Sequence, residues 1–558
     1  MDMDTSAEGL SKHSADLSTH SVSWDPLLLG VVTLVVIAVS YGVWRRKKTT
    51  NSPPGPRGWP VIGALLEMEP QLHKTLDKFA KRYGDIVLCR LGVQTIVVVS
   101  SAEGAEELLK HRDAEFCDRA TAMTRSVAKY TGLGGAEMPF ANYDTELKLH
   151  RKISITEFFT AAKIKLYEKL RTQEVAVMVE KIFHAKIQHS TFRREPMGIR
   201  SIGCAAIRNI VFSLCIGRRF DSLRPEDELK EFPEILDELA QLFMSINLVD
   251  FFPWLTWFDP QGLLKRMKTF DKRQRRWYEM ILEQHRLAMK QQKGESGELE
   301  GGGDETNSTT RNFVDVLLRA QEDGTKISDD GVMGTIMSML CGGIDTTSSQ
   351  VEWVLLELAR HPKMLQRLQY ELDAFVGKER PLDENDLTFM PFLNAVVLES
   401  LRLHPAVPYS FPHVNMAPAT LGGYDIPAKT AVIVNAYSIG RDPKTWKNPL
   451  EFNPDRFMAG GSSLSSDSIK ANGNYYQLLP FSSGRRVCPG YNLAILLLLR
   501  IVGTLVHAFN WIPPPGLSAE ELSIEEVSPF IIHPNPDLYL VPTPRLPAHV
   551  YRSNIKIT

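Results

Sequence analysis

The feature that most restricts this chain is a stretch near the N-terminus that contains no charged residue. It runs from Pro26 to Trp44, and its length is close to the roughly 20 residues that a helix needs to cross a bilayer. The basic run Arg45–Lys48 follows at once, whereas the segment before the stretch is mostly acidic. A cleaved signal peptide carries its positive charge on the other side. We therefore expect a transmembrane anchor at 26–44 with residues 1–25 lumenal and the bulk of the chain cytosolic, rather than a buried core helix.

Behind the anchor, residues 45–62 join the basic run to a proline-rich segment that favours a stiff connector over a helix. We expect a hinge there, followed by one large domain at 63–558. A hydrophobic content of 43% predicts a packed core in that domain. The net charge of -2 gives no electrostatic basis for nucleic acid as a partner. The six cysteines are scattered, which argues against a disulfide framework and favours a reducing compartment.

Apolar periodicity predicts mainly helical structure from about residue 102 to 375. One long helix should begin after a capping Ser328 and end before Pro362. We expect this helix to cross the middle of the domain. A second, apolar nearly all round, predicts a buried helix at Asn492–Phe509. The segments predicted to be strands are Asp85–Gly92, Thr95–Ser100 and Ala431–Gly440. The acidic, glycine-rich segment from Lys293 to Thr310 predicts a surface loop.

A lone cysteine, Cys488, lies in PFSSGRRVCPG beside Arg485 and Arg486 and just before a helix that Gly490 opens. Nearby cations and a helix N-terminus lower the pKa of a thiol, so this position is expected to favour the thiolate. A nucleophilic cysteine needs a histidine base, for which the sequence offers no signature, and zinc needs further ligands nearby. A single thiolate with open space opposite it suits haem iron.

Two further patterns place polar residues in apolar helices. GGIDTT puts two glycines, Asp345 and Thr346 in the long helix, which is compatible with close helix packing or with a ligand against the backbone. In LESLRLHP, Glu399 and Arg402 are neighbours on one helix face. Because a buried ion pair is costly unless a third group satisfies it, Arg456 of FNPDRF is a candidate third partner.

Taken together, these motifs resemble the cytochrome P450 family. FSSGRRVCPG, Phe481 to Gly490, matches the haem-binding signature F-x-x-G-x-R-x-C-x-G at every defined position, and GGIDTT, ESLR and FNPDRF stand in the family's order. PPGPRGWPVIG and HPAVPYSFPHV make the chain similar to plant microsomal enzymes of the A type. The resemblance implies a mainly α P450 fold with a small β-rich subdomain, in addition to the one N-terminal transmembrane helix.

The resemblance also implies roles for individual residues. Cys488 would be the axial thiolate ligand of haem b, and Asp345 and Thr346 would deliver protons for oxygen activation. Arg486 and His413 would bind haem propionates, and Gly342 and Gly343 would let the long helix lie over the haem face. Further residues expected at the haem are Arg151, Phe481, Gly484 and Gly490. The structural triad behind the haem would be Glu399, Arg402 and Arg456.

The chain departs from the family at one site. The family's W-R-x-x-R is replaced by Leu147 and Lys148, with Arg151 retained, so the propionate network is expected to differ. Substrate contacts can be placed only by region, and they suggest a mostly apolar pocket. The residues expected there are Met337, Val407, Tyr409, Phe411 and Phe530.

The function implied is that of a haem-thiolate monooxygenase in the endoplasmic reticulum membrane, single-pass, with its catalytic domain cytosolic. Membrane lipid, O2 and NADPH-cytochrome P450 reductase, docking on the Cys488 side, are the expected partners. The expected substrate is a flavonoid or phenylpropanoid of plant secondary metabolism. Alternatives are amino-acid N-hydroxylation to an oxime, terpenoid or fatty-acid oxidation, reductase-independent peroxide rearrangement, and a non-catalytic haem-binding membrane protein. The anchor and Thr346 argue against peroxide rearrangement.

Overall fold

The computed structural model describes residues 30, 51–119, 125–188, 191–192, 195–224, 226–296, 312–458, 473–527 and 531–552. The chain divides into two units, residues 1–48 and 49–558. Apart from the helical Gly30, the expected anchor lies outside the described residues, as do Phe530 and residues 297–310 of the expected loop. The following paragraphs concern the second unit.

Helices make up most of this unit, so the mainly α fold class is confirmed. In chain order they are α1 Leu72–Tyr83, α2 Ala102–Glu106, α3 Arg125–Tyr130, α4 Thr145–Ser154, α5 Ala161–Leu166, α6 Glu168–Lys186, α7 Ile199–Ile216, α8 Phe232–Met244, α9 Leu248–Phe251, α10 Leu263–Ser296, α11 Phe313–Glu322, α12 Asp329–Arg360, α13 Pro362–Phe375, α14 Pro391–Leu403, α15 Ala436–Ile439 and α16 Tyr491–Ala508. Single π-helical turns, Glu107–His111 and Ile155–Phe159, extend α2 and α4.

The strands are short and form small sheets. They are β1 Ile86–Leu91, β2 Gln94–Val99, β3 Asp118–Arg119, β4 Ile187–Gln188, β5 Thr191–Phe192, β6 Met197–Gly198, β7 His413–Val414, β8 Ala419–Leu421, β9 Tyr424–Ile426, β10 Ala431–Val434, β11 Phe509–Ile512, β12 Glu526–Val527, β13 His533–Pro534 and β14 Tyr539–Pro544. The main sheet has the order β1-β2-β10-β7-β3, in which β2 and β10 are parallel. A second sheet has the order β11-β14-β6, and the pairs β4-β5, β8-β9 and β12-β13 complete the set.

The long helix predicted from the sequence is α12, and its bounds are confirmed. The Ser328 side chain accepts a hydrogen bond from the backbone N–H of Gly331, which caps the first turn, and α12 ends just before Pro362. The helix packs against α7, α14 and α16 in the main hydrophobic core. It therefore brings one continuous helical face to the centre of the unit, where the cavity described below lies.

Two sequence predictions differ from the structure at their ends. The predicted strand at Ala431–Gly440 stops at Val434, because the Asn435 side chain accepts a hydrogen bond from the Ser438 N–H and so caps α15. The first four residues of the loop predicted from Lys293 are helical instead, because α10 continues to Ser296. The strands β1 and β2 confirm the two predicted before residue 101.

Two described helices, α7 and α16, are long and apolar enough to cross a membrane. Both are mostly buried within the unit, where they pack on α12. Their apolar character is accounted for by their place in the core, as predicted for the segment that forms α16.

Candidate functional site

A cavity of about 740 Å³ with mostly apolar walls lies against the middle of α12. The loop that precedes α16 forms another part of its lining, and β7, α4 and α8 contribute further residues. This volume is in the range of pockets that enclose a small ligand. Among the described residues, no group of three or more His, Cys, Asp or Glu side chains is placed to hold a metal ion.

Cys488 lines the cavity from the loop before α16. The loop folds back so that the backbone N–H of Cys488 donates to the carbonyl oxygen of Phe481 at 3.0 Å, and Phe481 also lines the cavity. Burial raises the pKa of the Cys488 thiol, while a hydrogen bond from the Gly490 backbone and the charge of Arg151 act to lower that pKa. Of these effects on the pKa of Cys488, that of burial is the largest.

The expectation that Arg485 and Arg486 lower the pKa of Cys488 is therefore wrong. Arg485 forms an ion pair with Asp113 at 3.0 Å, and its backbone N–H donates to the same carboxylate at 2.9 Å. Arg486 instead donates to the carbonyl oxygens of Cys117 at 2.7 Å and Ala141 at 2.8 Å. The adjacent residues diverge from the thiol, and the cation that acts on the thiol comes from α4.

Five arginines line the cavity, and two of them, Arg200 and Arg208, form ion pairs with carboxylates. The other three are Arg119, Arg151 and Arg486. Burial lowers the pKa of each of them; for Arg486, burial together with the nearby Arg151 brings it to about 10. None forms an ion pair with a described carboxylate; besides the Arg486 contacts, Arg119 Nε donates to the Pro139 carbonyl at 2.6 Å and Arg151 to that of Val487 at 2.7 Å. The site thus concentrates buried positive charge that no ion pair with a described carboxylate compensates.

His413 completes this basic part of the lining. It stands directly opposite Arg119 in the β3–β7 pair, so the two side chains are cross-strand neighbours. Its Nδ1 is 3.0 Å from the carbonyl oxygen of Phe116, while its buried Nε2 has no hydrogen-bond partner in the described part of the chain. The sequence reasoning missed Arg119, because a two-residue strand gives no periodicity signal.

The face of α12 that lines the cavity contains the GGIDTT motif. A Cβ atom added at Gly342 would meet no atom within 4 Å, whereas one at Gly343 would contact the Val211 side chain of α7 at 3.5 Å. Gly342 therefore leaves open space beside the helix, and Gly343 serves helix packing as well. The Thr346 hydroxyl donates to the carbonyl oxygen of Gly342 at 2.6 Å, one turn back.

Asp345 lines the same cavity, and its Oδ2 is 3.4 Å from Nε2 of His533 in β13. This histidine could not be assigned to the site from the sequence, because β13 is far from α12 along the chain. Asp345 also lies close enough to Asp237 of α8 to raise the pKa of that carboxyl, although burial is the larger cause.

The structure brings Glu399, Arg402 and Arg456 together behind this wall, as the resemblance implied. Arg402 donates to both carboxylate oxygens of Glu399, at 2.7 and 2.8 Å, and Arg456 Nε donates to the same group at 3.0 Å. The Glu399 and Arg402 side chains have no exposed surface. The remaining donors of the two arginines reach backbone carbonyls of the segment 440–451, so the triad ties α14 to that segment.

Among the expected substrate residues, Val407, Tyr409 and Phe411 line the cavity. Met337 does not; it is fully buried in the helical core. It precedes Gly342 by five residues, which places it about 140° around the helix from the open face. Phe530 lies outside the described residues, although its neighbour Ile531 lines the cavity.

Gly484 and the Leu147–Lys148 pair lie away from the lining. Gly484 has φ of +67°, and a Cβ there would lie 2.4 Å from the Leu109 carbonyl oxygen, so its role is to let the loop approach α2. Gly484 is therefore not among the residues that line the cavity, whereas Gly490 is. Leu147 is buried, and the Lys148 ammonium lies 4.9 Å from the centroid of the Tyr143 ring.

Comparisons with known proteins give one consistent family. The cytochrome P450 family model matches residues 53–541. Trimethyltridecatetraene synthase of Zea mays is 35% identical over 93% of this chain and 94% of its own length. Flavonoid 3'-monooxygenase of Arabidopsis thaliana is 31% identical over 94% of this chain and 98% of its own. A solved zebrafish cytochrome P450 with abiraterone has a TM-score of 0.66 at 25% identity and covers 85% of this chain and 99% of that one.

Proposed function

The chain belongs to the cytochrome P450 family and is a cytochrome P450 monooxygenase with haem b as its cofactor; from this premise we propose that it oxygenates a small aromatic substrate, a flavonoid or phenylpropanoid. Electrons reach microsomal enzymes of this family from NADPH through a reductase. For this chain we propose NADPH-cytochrome P450 reductase as the donor, docking on the Cys488 side, and the endoplasmic reticulum membrane as the location.

The observation that carries the assignment of the site is the set of buried guanidinium groups beside a cysteine. Arg119, Arg151 and Arg486 form no ion pair with a described carboxylate, and the buried Nε2 of His413 lacks a described partner. Burying uncompensated charge is unfavourable unless a ligand supplies the opposite charge. The two propionate groups of haem b are such anions, and Gly342 leaves open space along α12 for a large ring. The residues present therefore fit this cofactor.

We assign roles to the residues on that basis. Cys488 would bind the haem iron, and the four basic side chains would hold the propionates, with Arg119 offsetting the missing Trp-Arg pair at positions 147 and 148. When bound, the haem supplies the chemistry that activates dioxygen. Phe481 and Gly490 would shield the thiolate side.

Thr346 and Asp345 would move protons on the substrate side. The Thr346 hydroxyl already donates to the Gly342 carbonyl, so its oxygen remains available to accept a hydrogen bond from a donor in the cavity. Asp345 is 28% exposed at its side chain and can exchange protons with water, and His533 holds its carboxylate on one side. Together they would form a path from solvent to the cavity.

The aromatic substrate class is supported by the flavonoid 3'-monooxygenase relative and by Phe411, whose ring packs edge-on against Phe140 at 5.2 Å beside the cavity. A second candidate is an acyclic terpenoid, because one relative is named for making trimethyltridecatetraene and the lining is mostly apolar. The resemblance alone supports amino-acid N-hydroxylation, and no structural feature favours it.

A binding screen separates the candidates. The haem-loaded protein is titrated with flavonoids, phenylpropanoids, acyclic terpenoid alcohols and amino acids while the Soret band is recorded. We expect flavonoids or phenylpropanoids to shift the band at the lowest concentrations and to be hydroxylated when reductase and NADPH are added. A shift confined to the terpenoids or the amino acids would contradict the proposed substrate class.

A further inference from the structure

A carboxyl group to which neither the sequence analysis nor the proposal above assigns a role lies on the cavity wall. Glu137 is 5% exposed and lines the cavity from the loop between the short helical turn Leu133–Gly135 and α4. Its buried Oε2 accepts or donates no hydrogen bond within the described part of the chain. An unsatisfied buried polar atom is costly, so its presence beside a ligand cavity calls for a partner.

The surroundings of Glu137 are almost entirely apolar. Burial raises the pKa of Glu137 to about 8, and it is the single cause of the shift, so no described cation compensates this carboxyl. The polar groups close to it are the Tyr278 hydroxyl of α10 and the Cys341 thiol of α12, both of them buried. At neutral pH the group is therefore mostly a neutral carboxylic acid, which both donates and accepts hydrogen bonds.

The backbone at Glu137 is held firmly against α12. The N–H of Met138 donates to the Ser338 hydroxyl at 3.1 Å, and the Glu137 carbonyl accepts from the N–H groups of Phe140 and Ala141. A Cβ added at Gly334 would lie 2.6 Å from the carbonyl carbon of Ala136, so this glycine lets the segment press on the helix. The backbone at Glu137 is thus fixed, and the cavity that this residue lines gives a partner a route to the carboxyl.

We propose that Glu137 is the polar anchor of the substrate cavity and that it binds a hydroxyl group of the aromatic substrate. A hydroxyl matches a neutral carboxylic acid because each group can donate one hydrogen bond and accept another. An ammonium group would instead require the acid to ionise in apolar surroundings. This inference rests on the aromatic substrate class proposed above and names the substituent that the cavity recognises.

The test uses two flavanones that differ by one hydroxyl group. Unsubstituted flavanone and 4'-hydroxyflavanone are titrated into haem-loaded wild-type protein, Glu137→Gln and Glu137→Leu, and dissociation constants are read from the Soret shift. We expect the wild type to bind the hydroxylated compound about tenfold more tightly than flavanone, the effect of one hydrogen bond to a buried group. Glu137→Gln should keep most of this preference, because an amide also donates and accepts. Glu137→Leu should lose it while binding flavanone at least as well.

The outcomes separate this inference from the proposed function. If neither flavanone shifts the Soret band of the wild type, the aromatic substrate class fails and this inference fails with it. If both bind but Glu137→Leu keeps the wild-type preference, the inference alone is overturned. Should Glu137→Leu fail to load haem, infrared difference spectra of the wild type can test whether the Glu137 carboxyl contacts the hydroxyl group of the ligand. The carbonyl stretch of Glu137 is identified as the band that is absent from Glu137→Gln. We expect this band to shift when 4'-hydroxyflavanone binds and not when flavanone binds. A band that responds to neither compound overturns the inference.

Discussion

Charged side chains buried in the domain differ in whether a counter-charge accompanies them. Arg171 donates to both carboxylate oxygens of Glu384 at 2.7 Å, so the protein itself supplies the counter-charge of this buried guanidinium group. The guanidinium groups of Arg119, Arg151 and Arg486 at the cavity form no ion pair with a carboxylate among the described residues. Because buried charge without compensation is rare in a stable core, its concentration at one place is a stronger indication of a ligand site than the exposure of any single residue.

The raised pKa of Glu137 predicts a pH-dependent stability. The ordinary value for this carboxyl is 4.5 and its value in the fold is about 8, so the folded state binds more protons than the unfolded state between these values. Stability from this group is therefore present at low pH, falls as the pH rises through that window and levels off above about 8. Glu137→Gln has no ionisable group at this position. The unfolding free energy of Glu137→Gln minus that of the wild type should therefore increase by roughly 2 to 3 kcal/mol between about pH 6 and about pH 8.

Urea unfolding at a series of pH values measures this difference. Ser338→Ala is a suitable control, because it removes a neighbouring hydroxyl without altering the number of titrating groups. Parallel stability curves for the wild type and Glu137→Gln would show that the carboxyl ionises normally in the fold.

Predictions for single residues succeed where neighbours along the chain determine the environment of the side chain. They fail where elements distant in the sequence determine that environment. The place of Cys488 before a helix followed from local pattern. The groups acting on its thiol did not, because the cation comes from α4 and the adjacent arginines turn to Asp113 and to backbone carbonyls. Arg119, Glu137 and His533 were missed for the same reason, since only the tertiary fold places them at the cavity.

At the scale of elements, the faces of α12 differ in whether they contact the cavity or another helix. Gly342 faces open space and Gly343 faces Val211, so neighbouring glycines have different roles. The sequence left close packing and ligand approach as alternatives, and the structure supports each of them for one glycine. The 3.6-residue period explains both this difference and the absence of Met337 from the lining.

Gly342→Leu is expected to preserve the helix and to reduce haem content strongly. Leucine has a higher helix propensity than glycine, so α12 should remain folded, but its side chain would fill the space that the cofactor or substrate needs. Gly343→Ala is the matched control, because its methyl group would make an ordinary contact with Val211. The measurement is haem per protein, with circular dichroism to check folding. Equal haem content in the two variants would contradict the assignment of Gly342.

The triad is expected to contribute to stability because its charges are fully buried. Glu399→Gln leaves two guanidinium groups without their shared carboxylate, which should lower the unfolding free energy by about 3 to 5 kcal/mol. Lys444→Gln, which breaks an exposed ion pair with Asp85, should cost less than about 1 kcal/mol. Chemical unfolding of both variants gives the comparison, and similar losses would show that burial does not distinguish the two pairs.

At the scale of the whole molecule, the mainly α class, the central helix and the first two strands could be predicted because strong periodicity and capping signals mark them. The short strands could not, since two-residue ladders such as β3 and β7 depend on pairing between distant segments. The order of the motifs implied the cavity as a whole, but Arg119, Glu137 and His533 of its polar lining come from a loop and short strands that have no local signature.

The division of the chain at residue 48 leads to a prediction about location. A chain that starts at residue 49 should fold and bind haem, because the second unit contains the whole cavity and its lining. In the full-length protein, the uncharged stretch at 26–44 should resist extraction from membranes by alkaline carbonate, whereas the shortened chain should be released. Release of both forms to the same extent would contradict a transmembrane anchor.

The central claim is that Cys488 provides the thiolate ligand of the haem. The most direct test is the Soret spectrum of the dithionite-reduced protein under carbon monoxide, recorded for the wild type and for Cys488→Ser. The wild type should show the red-shifted band characteristic of thiolate ligation, and Cys488→Ser should lose it, either with the haem or by a shift to the band of a non-thiolate complex. A wild type without the band, or a Cys488→Ser variant that keeps it, would contradict the account.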